Sequence, residues 1–255
     1  MSSGLWFERS ALADRGYATL AAVDLGPDAA SLHTASPGAA PPSVRPDALP
    51  SPSAAHVALA AVLRTHRSDA LVLQGWPMRA TSLVELAAPP VASPVRIAWA
   101  AALANAGPPA PAEEWPNAAI TRVLEARLPA LLAALWAPLA TAPPPLRVLD
   151  CRPLGPHGRA AMVSEVFTVA TSFAAGESHA LLQIFHEAAH PVTDPAVFGR
   201  LGTASGTRDT RFGTAGFAAH RACEAAAVAW GTVILEGIAP DLLPAWAAWR
   251  ARWGA

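Results

Sequence analysis

The sequence predicts an α+β protein, and four stretches carry that prediction. Leu146 to Arg152 and Ala160 to Ser172 read as two strands, antiparallel to each other, and Val163 to Ser172 is rich in β-branched and aromatic side chains. Ala180 to Ala189 is an apolar run with helical spacing, preceded by a turn at Ala175-Gly176. Gly216 to Trp230, dense in alanine, reads as a further helix. Together they predict a small, mostly antiparallel sheet packed on the helix after Gly176, followed by a helical C-terminal part.

The elements are taken in chain order. The start, Met1 to Arg9, lacks a basic segment followed by an apolar one, so no signal peptide is expected. Tyr17 to Leu25 reads as a strand. Gly26 to Ser53, rich in Pro, Ala, Ser and Gly, reads as an excursion. Ala54 to Arg67 reads as a helix whose basic end suits its C-terminus. Asp69 to Gln74 reads as a short strand, Gly75-Trp76-Pro77 as a turn, and Ala80 to Leu86 as a returning partner. Pro94 to Asn105 fits either class. After a linker at Gly107 to Ala112, Glu113 and Glu114 open a helix running toward Trp136 with a break expected at Pro129. Ala142 to Pro145 is a proline hinge.

In the region after Leu146, Ser178 is the candidate cap for the apolar helix and Pro191 its expected stop. Pro191 to Ala215 is a long loop bearing Asp194, Arg200, Arg208, Asp209 and Arg211. A last helix, punctuated by Pro240 and Pro244, carries Trp246, Trp249 and Trp253 as packing residues. The organisation expected is a region 1–145 of uncertain role, either separate or part of the same unit, and a core at 146–255.

Composition narrows the function classes. The formal charge is −1, from 18 basic and 19 acidic residues, which gives no surface for nucleic acid. The longest uncharged stretch, Leu128 to Leu146, is interrupted by prolines and makes no membrane span. Two cysteines, Cys151 and Cys223, form no disulfide framework and are expected as reduced, buried thiols. A cytoplasmic setting is the expectation. There is no Gly-rich phosphate loop and no G-x-S-x-G nucleophile elbow.

Chemistry concentrates at His186-Glu187-Ala188-Ala189-His190, an H-E-x-x-H motif. On a helix, positions four apart lie one above the other, so both imidazoles can face one metal ion. Glu187 sits beside that face, where a carboxylate can take a proton from water activated by the metal. The plainer alternative is a buried helix with two satisfied histidines and a surface glutamate. Catalytic zinc takes three protein ligands and leaves a position open. Three candidates for the third are Glu224, an acid among small apolar neighbours on the second helix; Asp209, in Gly206 to Gly213; and His220, one turn before Glu224. His220, or an arginine of the long loop, is also the candidate donor to a developing oxyanion. His179, two turns before His186, either reaches the same cleft or faces solvent.

The pairing of His186-Glu187-x-x-His190 with Glu224 on a later helix resembles the gluzincins, the thermolysin-like clan of zinc peptidases. That resemblance implies a zincin-like fold, zinc (Zn2+) on His186, His190 and Glu224, and Glu187 as general base. Val228 stands where thermolysin-like enzymes usually carry an aspartate. The loop Gly206 to Gly213 is similar to the aspzincin signature, with Phe212 in place of its tyrosine. The resemblance spans roughly Leu146 to Leu235. The expectation is a zinc-dependent hydrolase acting on a peptide or protein substrate. Its rivals are a catalytically inactive zincin-like regulatory or interaction module and hydrolysis of a non-peptide bond. Substrate preference and oligomeric state are not readable from the sequence.

Overall fold

The structure is a computed structural model that describes residues 4–23, 52–106, 118–139, 142–154, 157–194 and 215–253. It is α+β, with a small four-stranded sheet and helices on both of its faces. The strands are β1 (Leu5–Glu8), β2 (Leu146–Asp150), β3 (Arg159–Val163) and β4 (Val166–Thr171), in the order β1-β2-β4-β3. β1 pairs with β2 and β2 with β4 in parallel; β3 alone is antiparallel, against β4.

This corrects the expectation of a mostly antiparallel sheet. The run Ala160 to Ser172 is two strands folded into a hairpin at Ser164-Glu165, where Ser164 takes φ 56°. A tight turn between strands needs such a left-handed residue. The chain reverses twice between β2 and β4, once between β2 and β3 and once at the hairpin, so β4 runs parallel to β2.

Parallel strands are usually covered on both faces, and these are. Leu146, Val148, Met162, Phe167 and Val169 point into one core, shared with the helices that follow and precede them. Leu149, Cys151, Ala161 and Ala170 point the other way, against Ala13, Tyr17 and Met78. The alternation along β2 and β4 is the period of two that a strand imposes.

Tyr17 to Leu25, expected as a strand, belongs largely to helix α1 (Ala11–Ala21). The Ser10 hydroxyl accepts the Ala13 amide and caps it, and Ala13 and Tyr17, four apart, are its buried contacts with the sheet. Helix α2 (Ala54–Thr65) forms as expected. The strand expected at Asp69 to Gln74 is helix α3 (Arg67–Gly75), and its hairpin partner is a short helix, α4 (Leu83–Leu86). Pro94 to Asn105 resolves into α5 (Ser93–Asn105). Leu59, Leu63, Ala70, Leu73, Leu86, Val95, Trp99 and Leu103 bury together in this helical cluster. As helices these segments satisfy their own backbone hydrogen bonds and need no partner strand.

Helix α6 (Ala118–Leu135) runs unbroken through Pro129, against expectation. The hydrogen bond that Pro129 forfeits belongs to the carbonyl of exposed Glu125, which water can satisfy. The opposite face, with Leu124, Leu128, Leu131 and Leu135, stays buried and holds the helix together. Residues 24–51 and 107–117, covering most of the first excursion, the first linker and Glu113-Glu114, lie outside the described residues.

After β4 come α7 (Glu177–Glu187), α8 (His190–Thr193), α9 (Ala215–Ile238) and α10 (Leu243–Trp253). α6, α7, α9 and α10 pack into one core with the first face of the sheet. Both cysteines are free; Cys151 is buried as expected, but Cys223 is partly exposed. Among the described residues no helix is long and apolar enough to cross a membrane.

Candidate metal centre

The H-E-x-x-H segment lies where α7 ends. Gly176, not Ser178, is the residue before the helix, with φ 97° that a side chain would strain. Glu177 follows in the first turn, where its charge complements the helix dipole. At the other end Pro191 does not stop the helix downstream; it breaks it upstream. Without an N–H, Pro191 cannot bond the carbonyl of Glu187, and α7 stops at Glu187. The Ala189 amide tightens instead onto the His186 carbonyl at 2.9 Å, and Pro191 sits in the first turn of α8. The indole of Trp136 donates to the Ala188 carbonyl at 2.6 Å and satisfies an acceptor that the break exposes.

Ala188 and Ala189 keep right-handed backbone angles, so the two histidines stay one turn apart. Their rings lie edge to face, with centroids 4.9 Å apart, and both residues are buried. From α9, Glu224 reaches between them. Its Oε2 is 3.0 Å from His186 Nε2, and its Oε1 is 3.5 Å from His190 Nε2. One ligand atom from each of His186, His190 and Glu224 lies within 4.8 Å of the others.

His220, one turn before Glu224 on α9, brings Nε2 to 3.5 Å of Glu224 Oε1. It stands beside the three-residue group rather than within it. Asp209, with Arg200, Arg208 and Arg211, lies outside the described residues. Glu187 is partly buried, and its Oε1 accepts a hydrogen bond of 2.9 Å from Gln183 Nε2. His179 is buried rather than solvent-facing, and it lies close enough to His157 to influence its protonation.

Electrostatics tie the cluster together. Burial raises the Glu224 carboxyl, but the charge of His190, the His186 hydrogen bond and charge, and the charge of His220 outweigh it and hold the group well below the usual carboxylate range. Burial lowers His186, yet the hydrogen bond and charge of Glu224, with Glu187 nearby, lift it above its ordinary value. A carboxylate kept ionised among imidazoles is the donor set that a borderline-soft divalent cation takes.

At metal–ligand distances of about 2.0–2.1 Å, two ligand atoms of a tetrahedral zinc stand roughly 3.3 Å apart. Glu224 offers Oε2 to His186 at 3.0 Å and Oε1 to His190 at 3.5 Å, so each imidazole meets a different carboxylate oxygen. Two histidines and one glutamate are also the number of protein ligands that leave one position open.

Two further groups of contacts surround the site. Gln183 is four residues before Glu187, a spacing that places both on one helical face. Trp246 and Trp249 do more than fill the core. Their rings stack in parallel, with centroids 4.9 Å apart and 3° between planes, and Trp249 lies 4.9 Å from the His186 ring. Nothing in the local sequence couples α10 to His186; only the fold does. Comparison with protein-family models, with curated proteins and with solved structures finds no match for the chain.

Proposed function

We propose that the protein is a zinc-dependent hydrolase acting on peptide bonds, with His186, His190 and Glu224 holding the metal. The observation that carries this reading is the convergence of these three ligand atoms within 4.8 Å, with an acid next in sequence to one of them. Zinc held there would supply a Lewis acid for a carbonyl and a water whose pKa is brought toward neutrality.

The chain's own groups do the rest. Glu187 takes the proton from the attacking water and passes it to the leaving amine. Gln183 donates to Glu187 Oε1 and holds one carboxylate oxygen in place, leaving the other for the proton. His220, partly exposed beside Glu224, is positioned to donate to the oxygen on which negative charge develops. A peptide substrate is supported by the sheet. No strand among the described residues pairs with the outer edge of β3, and an extended chain can add there through main-chain hydrogen bonds. β3 begins beside Gly158, where a Cβ would come within 2.2 Å of Gln183 Nε2, so that edge and the Glu187 support are neighbours.

A second reading, a zincin-like regulatory or interaction module without turnover, is favoured by one observation. His220 lies 3.5 Å from a ligand oxygen and could close the fourth position as a structural ligand. One substitution separates the readings. Glu187→Gln should retain zinc and lose hydrolysis of a fluorogenic peptide library by about 10³-fold, within the span expected for a general base. Undiminished turnover in that variant would contradict the base assignment. Wild-type protein that binds zinc but cleaves nothing would favour the module.

A further inference from the structure

An imidazole that binds metal through Nε2 usually has its ring aimed by a hydrogen bond from the other nitrogen. His186 departs from that pattern. Its Nε2 faces Glu224 at 3.0 Å, but Nδ1 is buried and finds no hydrogen-bond partner among the described residues. The terminal torsion of a histidine is broad, so without such a bond the ring needs another restraint.

The restraint available is a slab of two indoles. Trp249 lies against the His186 ring at 4.9 Å with planes tilted by 46°, and Trp246 stands behind it at 6.4 Å from the imidazole. The two indoles stack flat on each other. Trp246 is pinned in turn. Its N–H donates to Thr232 Oγ1 at 2.9 Å, and the Thr232 hydroxyl donates to the Val228 carbonyl at 2.8 Å. The Phe185 ring meets Trp246 edge-on at 5.8 Å. Gly231 leaves room for both: a Cβ there would stand 3.1 Å from Phe185 and 3.1 Å from Trp246.

Thr232, Gly231 and Val228 all belong to α9, the helix that presents Glu224. One helix therefore fixes both the carboxylate and, through the stacked indoles, the direction of the imidazole it must meet. We propose that Trp249, backed by Trp246 and Thr232, is a positioning residue that aims His186 Nε2 at the metal by ring contact in place of a hydrogen bond. The proposal rests on the metal-centre reading above and adds to it the last helix as a working part of the centre.

The test uses the full chain, stripped of metal by chelator. It measures zinc affinity by competition with a chromogenic chelator, the visible absorption of the cobalt-substituted protein, and the melting temperature of the metal-free form. Trp249→Leu should weaken zinc by about 10- to 100-fold, the cost of losing an orienting partner, and should alter the cobalt spectrum. Trp249→Phe, which keeps a ring, should stay within about threefold of wild type and restore the spectrum. Trp230→Leu is the control for lost packing. Its indole donates to the Leu135 carbonyl elsewhere in the same core, and it should lower the melting temperature with zinc affinity within about threefold. Thr232→Val keeps the shape, removes the pin on Trp246 and should weaken zinc by several-fold, so the proposal stays testable if Trp249→Leu does not fold. Unchanged zinc affinity and cobalt spectrum in Trp249→Leu, or in Thr232→Val if the former does not fold, would overturn the positioning role while leaving the metal centre intact. A wild-type protein that takes up no zinc would overturn both.

Discussion

Among the described residues, carboxylates wholly or partly withdrawn from water in two regions meet opposite fates. Between α7 and α9, Glu224 is surrounded by three imidazoles, whose pull outweighs burial and keeps it ionised. At the end of β2 and in the first turn of α1, Asp150 and Asp14 are raised above the usual carboxylate range because burial there outweighs what opposes it. Asp14 has the Arg9 guanidinium at 2.9 Å, while its Oδ1 finds no hydrogen-bond partner among the described residues. Asp150 accepts the Phe173 amide at 2.9 Å. Both regions take acids out of water. The difference is that three imidazoles face the one carboxylate of Glu224, whereas the arginines that act on Asp14 and Asp150, Arg9 and Arg152, do not outweigh burial. A carboxylate ringed by imidazoles is the donor set that the proposed metal centre needs.

The largest effect should separate the two regions by metal affinity. His190→Ala should weaken zinc about a thousandfold, since each ligand carries roughly a quarter to a third of the apparent binding energy of such sites. Asp14→Asn should leave zinc affinity unchanged in the same titration. Comparable losses in both variants would erase the distinction.

Next in size is stability. Asp14→Ala leaves the Arg9 side chain, 11% exposed, without its carboxylate partner and should cost about 3 kcal/mol in urea unfolding. Asp14→Asn, which keeps a hydrogen-bond acceptor, should cost less.

The acid side of the pH profile should follow. Asp14 and Asp150 hold their protons more tightly when folded than when unfolded. Their contribution is therefore complete below the unfolded carboxyl value of about 3.9 and is lost as pH rises through the folded values. Asp14→Asn should flatten that loss. His157 runs the other way: burial first, then the charges of Arg159 and His179, lower it to about 4. Its contribution is present above the unfolded imidazole value of about 6.5 and is lost as pH falls toward the folded one. His157→Asn should remove that part of the acid limb, a change of at most about 3 kcal/mol, measured on metal-free protein so that ligand protonation does not intrude.

The candidate site was more legible in the sequence than the sheet around it. The four-residue spacing of His186 and His190 is a local signal, and it survives even the helix break that Pro191 causes. Glu224 stood out because an acid among alanines must be compensated, and the fold brings it to the two histidines. The sheet was harder for a physical reason. Parallel pairing joins segments far apart in sequence, so β1, which lies against β2 from Leu5↔Leu146 onward, leaves no local trace of its partner. Tyr17 to Leu25 and Asp69 to Gln74 misled because alanine and leucine flanks suit either element. The Ser10 cap and the burial of Leu73 among other helices decide the matter. The Trp246–Trp249 slab was legible as packing but not as a wall for His186, because its partner is set by how α10 crosses α7.

The most direct test of the account is the zinc content of the purified chain after exhaustive dialysis, compared with that of Glu224→Ala prepared in parallel. The account predicts about one zinc per wild-type chain and almost none in the variant, as expected for a three-ligand site that loses a ligand. A wild type without zinc, or a variant that keeps as much as wild type, would contradict it.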